Sequence, residues 1–300
     1  MAARELRPLR VGEIIDAALK VYRRNVLTLW KIIAVVVVPV NLVGALLLLS
    51  VLPTDFFDDS FGATTSLTTS EQWSILAASL VVGLIGAATV IAATAACLKV
   101  VSDTYMGRSS DARSSLAFAT RRLHSLLWVV FLTVLLIFVI ALLAVLTALV
   151  AGPLAIVFAV PIIWLYVAWS FATPALLVEG TRGRAALGRS FNLVRGRWWP
   201  VFGALVLGMI ITWIVGIGIG ALLNPLIDSA DSFTTAVLYD AVARSISAIV
   251  TTPFSAALVG ILYFDLRVRK EGFDVQLLAE RIGEPGPAAG ALPPEAGPQR

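Results

Sequence analysis

Six long apolar stretches, separated by short polar connections, dominate this 300-residue sequence. About 20 predominantly apolar residues are enough for one helix to cross the hydrocarbon core of a bilayer. Lipid offers no partners to backbone N–H and C=O groups, so each stretch is predicted to be helical. Only 14% of the residues are charged, whereas a soluble domain carries roughly a quarter. The sequence therefore predicts an all-α, polytopic six-helix transmembrane bundle with spans at about 27–52, 73–101, 126–150, 153–178, 201–223 and 241–264.

The basic residues are divided very unevenly between the two sides of this predicted bundle. Six crossings place 22 of the 23 Lys and Arg residues on the side that carries both chain ends. Arg244, near the start of the sixth span, is the one basic residue on the other side. Short basic connections stay in the cytoplasm during insertion. We therefore predict a multi-pass protein of the cell inner (plasma) membrane with its N- and C-termini in the cytoplasm.

A motif of paired arginines followed by tryptophan recurs along the chain. Its copies span Arg23–Trp30, Arg121–Trp128 and, more loosely, Arg195–Trp199. Each copy follows a segment with helical periodicity and precedes two apolar stretches. The bundle is therefore predicted to contain three pseudo-repeats, each an interfacial helix followed by a transmembrane hairpin. The interfacial helices, including a fourth that is unpaired, are predicted at about 11–26, 111–124, 183–197 and 273–282.

The same pattern predicts one integral membrane domain over residues 1–282. The remaining residues, 283–300, are rich in Gly, Pro and Ala and are predicted to form a disordered cytoplasmic tail.

The basic interfacial helices are candidates for contact with membrane lipid. Such helices lie in the head-group region with the apolar face toward the hydrocarbon. Two interpretations of their arginines stay open: contact with anionic head groups, and a role in setting topology alone. The candidate head-group residues are Arg23, Arg24, Arg121, Arg122, Arg195 and Arg197.

The sequence offers little material for catalysis or metal binding. It contains one histidine, His124, and one cysteine, Cys97. Metal sites and Ser–His or Cys–His catalysis need further groups that converge on one point. We therefore expect no catalytic residue, no metal site and no cofactor, and we expect no enzyme activity. The positive charge follows the pattern of membrane topology, so no nucleic-acid partner is expected.

The sixth span is the most polar of the six and contains Pro253. Breaks of this kind in membrane helices can form a substrate site, although prolines are also simply more frequent in membrane helices than in soluble ones. The candidate path residues are Thr251, Thr252 and Ser255.

Two further spacings concern helix packing and charge pairing. Gly216-x-x-x-Gly220 in the fifth span predicts close packing against another helix. Asp240 and Arg244 are four residues apart at the start of the sixth span, which predicts an ion pair on one helical face.

Three sequence blocks, taken in order, resemble a known family. They read LRPLRVGEIIDAALKVYRRNVLTLWKI, PALLVEGTRGRAALGRSFNLVRGRWWPVFG and YFDLRVRKEGFDVQLL. Together they resemble the bacterial glycerophosphoryl diester phosphodiesterase membrane-domain family, from about Leu6 to Leu278. In the proteins that give the family its name, such a membrane region precedes a soluble phosphodiesterase domain. Residues 265–300 are too few for that domain, so the resemblance implies the membrane topology without the activity.

Two functions remain open at this point. The first is a non-enzymatic scaffold or accessory subunit, with basic helices on anionic lipid and a possible membrane or cytoplasmic protein partner. The alternative is a small transporter or lipid-handling protein with a path near the sixth span. A polar cavity around Thr251 to Ser255 would favour the alternative, and a solid bundle would favour the scaffold.

Overall fold

A computed structural model describes residues 9–51, 69–108, 110–181, 183–230 and 232–272. All regular secondary structure within these ranges is helical, and a short 3₁₀ segment, Gly152–Phe158, joins α5 to α6. The α-helices are α1 Val11–Arg24, α2 Val26–Val51, α3 Thr69–Tyr105, α4 Ala112–Arg121, α5 Leu123–Ala151, α6 Ala159–Trp169, α7 Ala172–Glu179, α8 Arg184–Val194, α9 Trp198–Asp228 and α10 Phe233–Glu271.

The prediction of an all-α chain with six membrane-crossing segments is confirmed. Six segments of the described chain are long and apolar enough to cross a membrane. They run Val26–Ser50, Trp73–Tyr105, Leu123–Ala148, Ile156–Glu179, Trp198–Asp228 and Thr234–Glu271. The predicted helix over 273–282 and the predicted tail over 283–300 lie outside the described residues.

Several helix ends follow from capping residues in the sequence. Asp111 caps α4, because its carboxylate accepts from the backbone N–H groups of Arg113 and Ser114 at 3.2 and 3.4 Å. The carboxylate of Glu13 accepts from the N–H of Arg10 at 2.8 Å and closes the first turn of α1. Gly180 ends α7 in the left-handed conformation at φ 71°.

The predicted fourth span, 153–178, is not one continuous helix. It consists of part of the 3₁₀ segment, then α6, then a break at Ser170 and Phe171, then α7. Pro174 accounts for the break, since proline has no N–H and its ring clashes with the carbonyl four residues earlier, at Ser170. Hydropathy measures only apolar content, so a break of this kind does not show in it.

A buried serine from α8 completes this break. The hydroxyl of Ser190 donates to the carbonyl of Ala168 at 2.7 Å and accepts from the N–H of Phe171 at 3.1 Å. Both backbone groups would otherwise lack a partner inside the packed helices. Ser190 is fully buried. Helix α8 therefore covers the fourth span and also supplies a hydrogen-bond partner to its backbone.

The three short basic helices all lie at one end of the bundle, which we call the basic end. The second and third of them pack against helices that precede them in the chain, and the first packs against the last helix. Helix α4 packs against α3, α8 packs against α7 and α6, and α1 packs against α10, the last helix of the chain. The N- and C-terminal parts of the described chain are therefore in contact.

The apolar face of α1 is turned toward protein. Ile14, Ala18 and Val21 are buried in a cluster with residues of α10 and α9, and Tyr22 makes an edge-to-face contact with Phe254 at 6.4 Å. This differs from the expectation of an apolar face directed toward the hydrocarbon. The sequence periodicity predicts an apolar face and does not distinguish lipid from neighbouring helices as its partner.

The opposite end of the bundle, which we call the far end, is packed loosely. It comprises the C-terminal parts of α2, α5 and α9 and the N-terminal parts of α3, α6 and α10. Many of its large apolar side chains are exposed, among them Leu80, Leu84, Phe138, Leu146, Leu222 and Val242. In contrast, the largest fully buried side chains belong to the half nearer the basic end and include Tyr263, Phe171, Phe264, Leu29 and Leu126.

The predicted close packing through Gly216 and Gly220 is wrong. A Cβ atom on Gly220 would meet nothing within 4 Å, and one on Gly216 would meet only the Ser247 hydroxyl at 3.9 Å. The close approach of α9 to α10 occurs at Gly208 instead, where a Cβ atom would lie 2.0 Å from the Leu258 side chain. Glycine spacing marks a smooth helix face but does not say where a second helix lies.

Candidate functional site

A groove with a volume of about 730 Å³ opens between α3 and α9, with α10 as its floor. The junction of α6 and α7 closes the end nearer the basic end. Eight Ser and Thr residues line it: Thr94, Ser170, Thr173, Thr212, Ser247, Thr251, Thr252 and Ser255. The three candidate path residues from the sequence are therefore brought together on one cavity wall.

The hydroxyl stripe on α10 follows from helical periodicity. Ser247, Thr251 and Ser255 are four residues apart and thus lie on one face of the helix. Thr252 lies beside them, midway through the predicted sixth span. Gly216 on α9 faces this stripe and has no side chain to fill the space, which keeps the groove open.

Half of these hydroxyls are already bound to their own helices. Thr251 donates to the carbonyl of Ser247 at 2.7 Å, and Ser255 donates to the carbonyl of Thr251 at 3.2 Å. Thr212 donates to the carbonyl of Gly208 at 3.1 Å, and Ser170 donates to that of Val167 at 2.9 Å. Such side chains still present oxygen lone pairs to the groove, so they act there as acceptors.

The other four hydroxyls have no hydrogen bond to any residue that the structure describes. These are the side chains of Thr94, Thr173, Ser247 and Thr252. A hydroxyl group has one donor and two acceptor sites. The groove therefore offers both donors and acceptors to a molecule that enters it.

The rest of the groove wall is apolar and carries no charge. Its remaining side chains are Val90, Leu98, Met209, Trp213, Ile217, Ala256 and Val259. A wall of this kind offers no charged group to replace the water that an ion loses on binding, so it disfavours an ion. It suits a molecule with apolar chains and a few uncharged polar groups.

A network of charged and hydroxyl groups joins α7, α8 and α10 at the basic end. Glu179 lies at its centre and accepts from Arg189 at 2.7 and 2.9 Å, in a two-pronged contact. The Tyr263 hydroxyl donates to Glu179 at 2.5 Å, and Arg267 Nε lies 3.7 Å from the same carboxylate. Glu271 closes the network, since it pairs with Arg189 and with Arg267, the latter at 3.0 Å.

The environment of Arg189 favours its charged form. The hydrogen bond to Glu179 is the largest cause that raises the pKa of its guanidinium, and the contact with Glu271 adds to it, against the opposing effect of burial. The network is largely shielded, with the side chain of Arg189 27% exposed and that of Glu179 18%. Paired charges in such surroundings hold their helices in one arrangement.

The sequence does not single out these five residues, because Glu179 and Glu271 are far apart in the chain and meet only in the fold. One signal was present in the sequence. All five residues fall within the central and closing blocks that carry the family resemblance. Those blocks therefore coincide with the contacts that hold the basic end together.

A second contact joins the two ends of the described chain. Asp265 accepts from the N–H of Leu9 at 2.8 Å and from Arg269 at 2.7 Å. Arg269 in turn donates to the carbonyl of Leu9. The segment before α1 is thereby attached to the C-terminal part of α10.

The six candidate head-group arginines do not share one environment. Five of them are exposed at the basic end: Arg23, Arg24, Arg121, Arg195 and Arg197. Arg122 is half-buried, and its Nη1 donates to the carbonyls of Leu176 and Leu177 at 2.9 and 3.0 Å. Its guanidinium also lies 4.6 Å from the ring centre of Phe118. Arg122 thus binds the last turn of α7, where a cation is favoured by the helix dipole.

Comparison with known proteins identifies a family but no activity. No curated protein and no solved structure matches the chain. Residues 9–266 match a family described as a domain of unknown function, DUF7847. This segment includes the groove and most of the charged network. Because the match extends over most of its length, the chain belongs to the DUF7847 family.

Proposed function

We propose that this protein is a lipid-handling membrane protein, or a small transporter of amphiphiles, that binds its ligand in the hydroxyl-lined groove. The single observation that carries the proposal is the groove itself, with eight hydroxyls on a wall at the level of the apolar spans. Its volume lies within the range of ordinary small-molecule sites, which is about 300–1,000 Å³. A solid bundle at this position would instead have favoured a scaffold.

The ligand class that fits this wall is a lipid with uncharged ester or hydroxyl groups. Ester carbonyls are acceptors for the donors of Thr94, Thr173 and Thr252. Acyl chains suit the apolar part of the wall. A ligand with these two parts provides partners for the four hydroxyls that have no hydrogen bond to a described residue, in a medium without water.

The orientation follows from the positive-inside rule, with the basic end in the cytoplasm and the protein in the cell inner (plasma) membrane. The five exposed arginines then lie at the level of anionic head groups. The contacts of α4 and α8 with the helices that precede them, together with the contact of α1 with the last helix, α10, support three pseudo-repeats arranged in a closed order.

Native mass spectrometry of protein released gently from its own membrane tests this function. The test variant is Thr173→Val with Thr252→Val, which removes two donors from the groove at nearly constant volume. The matched control is Thr133→Val with Thr147→Val, whose hydroxyls bond to carbonyls of α5 and do not line the groove. Interhelical hydrogen bonds in membranes contribute about 0.6 kcal/mol each, so we expect about five- to tenfold less retained lipid in the test variant only.

Two results would overturn the proposal. One is a wild-type chain that carries no lipid under conditions that preserve lipid on a reference membrane protein. The other is equal retention of lipid by the groove variant and its control.

The second candidate function is a non-enzymatic scaffold or accessory subunit. The observation that favours it is the group of five exposed arginines, which presents a basic surface to lipid or to a partner at the basic end. A stoichiometric second protein in the same mass spectra, together with no retained lipid, would support this candidate over the first. In either case we propose that the chain acts without the phosphodiesterase activity of the family it resembles.

A further inference from the structure

A second cavity, with a volume of about 300 Å³, lies at the far end between α2, α3 and α10. Two of these helices, α3 and α10, also border the groove, but the residues that line the second cavity lie nearer their far ends. Its polar residues are Asn41, Ser79, Asp240 and Arg244, and its glycines are Gly44, Gly83 and Gly86. The function proposed above makes no use of this cavity.

The charged residues of this cavity form the ion pair that the sequence predicts. Arg244 Nη2 lies 2.7 Å from Asp240 Oδ2, one turn away on α10. Unlike the network at the basic end, this pair is open, with the two side chains 73% and 41% exposed. Both charged groups are therefore accessible to a ligand that brings one charge of each sign.

An amide lies deeper in the same cavity. Asn41, in the apolar helix α2, donates through Nδ2 to the hydroxyl of Ser245 at 3.0 Å, and Ser245 donates to the carbonyl of Ala241 at 2.7 Å. An amide in a membrane span is costly unless it finds hydrogen-bond partners. This chain of bonds turns Asn41 toward α10 and leaves its carbonyl oxygen as an acceptor.

Glycines make the room for a ligand here. A Cβ atom on Gly83 or Gly86 of α3 would meet nothing within 4 Å. The remaining lining is apolar and includes Val40, Leu48, Val82 and Val237. A charged pair with an amide beneath it and apolar walls around it matches a molecule with a charged head and an apolar body.

We propose that this cavity binds the amine-containing zwitterionic head group of a phospholipid from the leaflet at the far end. Asp240 accepts hydrogen bonds from the primary ammonium, and Arg244 donates to the phosphate, which its planar fork fits well. The carboxylate of Asp240 lies 2.7 Å from Arg244 and therefore repels a head group that carries only negative charge. A quaternary ammonium has no N–H to donate to the carboxylate and is larger, so it binds less well.

The test is a titration of the full-length protein in detergent, followed by native mass spectrometry, with short-chain lipids that differ only in the head group. The probes are dioctanoyl phosphatidylethanolamine, phosphatidylcholine and phosphatidylglycerol, together with free phosphoethanolamine. We expect the ethanolamine lipid to bind about fivefold more tightly than the other two lipids. Free phosphoethanolamine should bind least, because it lacks the apolar body.

Asp240→Asn with Arg244→Gln should abolish this head-group preference while leaving the fold intact, since both side chains are exposed. The matched control is Asp16→Asn with Lys20→Gln, which removes another exposed i, i+4 pair, 3.4 Å apart at the basic end. The control should keep the preference. Thermal unfolding of each variant verifies that it is folded.

Equal binding of the three lipids would overturn the proposal, as would an unchanged preference in the Asp240 and Arg244 variant. Binding of free phosphoethanolamine as tight as that of the lipid would overturn the assignment to a lipid. The groove variant Thr173→Val with Thr252→Val should keep the ethanolamine preference. Failure of the groove proposal and failure of this proposal are therefore distinguishable.

Discussion

The two ends of the bundle differ in how their helices are held together, and α10 shows the difference along a single helix. Near the basic end its Tyr263 and Phe264 are fully buried, and its charged residues bind α7 and α8. Near the far end of the same helix, Tyr239, Val242 and Ile246 are exposed. The cavity walls there are formed by three helices that leave about 300 Å³ between them.

The difference indicates which interactions hold the helices of such a bundle together. Lipid tails are as apolar as Leu, so apolar side chains alone do not drive membrane helices together. Hydrogen bonds and close packing do, and the basic end has most of the interhelical hydrogen bonds and ion pairs that join the described helices. The far half contributes few of these contacts, among them the hydrogen bond from Asn41 to Ser245.

The largest expected effect concerns Arg189 compared with Arg244. Arg189→Ala leaves Glu179 and Glu271 without their main partner, and we expect a loss of about 3 kcal/mol in the free energy of unfolding. Arg244→Ala removes only an exposed pair and should cost less than about 1 kcal/mol. Reversible unfolding in mixed micelles measures both, and equal losses would contradict the contrast between the two ends.

Two buried serines provide the next comparison. Ser190→Ala removes the hydroxyl that completes the break in the fourth span, and we expect it to cost about 2 kcal/mol. Ser115 on α4 is just as buried, but its hydroxyl has no hydrogen-bond partner among the described residues. Ser115→Ala should therefore change stability by less than about 0.5 kcal/mol, or raise it. The same unfolding assay applies, and a larger loss at Ser115 would show that burial alone matters.

Two glycines of α9 distinguish the contribution of helix packing to stability from the contribution of the groove to lipid binding. Gly208→Val forces a side chain into Leu258 of α10 and should cost about 1–3 kcal/mol. Gly216→Val extends into the groove and should leave the unfolding free energy nearly unchanged. Native mass spectrometry should nevertheless find less lipid retained by the Gly216 variant. Full retention of lipid would show that the groove is not the place where lipid binds.

The smallest expected effect on stability concerns the exposed arginines. Arg23→Gln with Arg24→Gln should weaken association with anionic head groups by about 1 kcal/mol for each charge and leave stability unchanged. Arg122→Gln should lower stability and leave the association with anionic head groups unchanged, because it removes the guanidinium that donates to the last turn of α7. Liposomes of graded anionic content, together with thermal unfolding, measure the two properties. If both variants changed lipid association and stability in the same way, this would contradict the different environments of these arginines.

The sequence predicts features that depend on composition and local spacing. The six apolar segments are of this kind, because hydropathy is a property of each segment alone. The ion pair of Asp240 and Arg244 is another, since helical spacing fixes it. The hydroxyl stripe at Thr251 and Ser255 also follows from spacing, although the groove in front of it depends on where α3 and α9 lie.

Features that depend on contact between distant segments are not predictable in the same way. Glu179 has no unusual sequence neighbours, and only the fold brings Arg189, Tyr263 and Arg267 to it. Arg122 belongs to the same arginine pair as Arg121, yet only one of them turns inward. Periodicity predicts that α1 has an apolar face, while its burial against α10 rather than lipid is a property of the whole bundle.

The hydroxyl of Ser190 also has a consequence for biosynthesis. A nascent chain that ends before α8 carries a fourth span in which the N–H of Phe171 and the carbonyl of Ala168 lack this partner. Groups of that kind are costly in the hydrocarbon core. The fourth span is therefore completed only after translation has passed residue 190 and α8 has folded back, so the order of synthesis is also an order of assembly. A ribosome stalled before α8 should leave this span more loosely inserted than one stalled just after it.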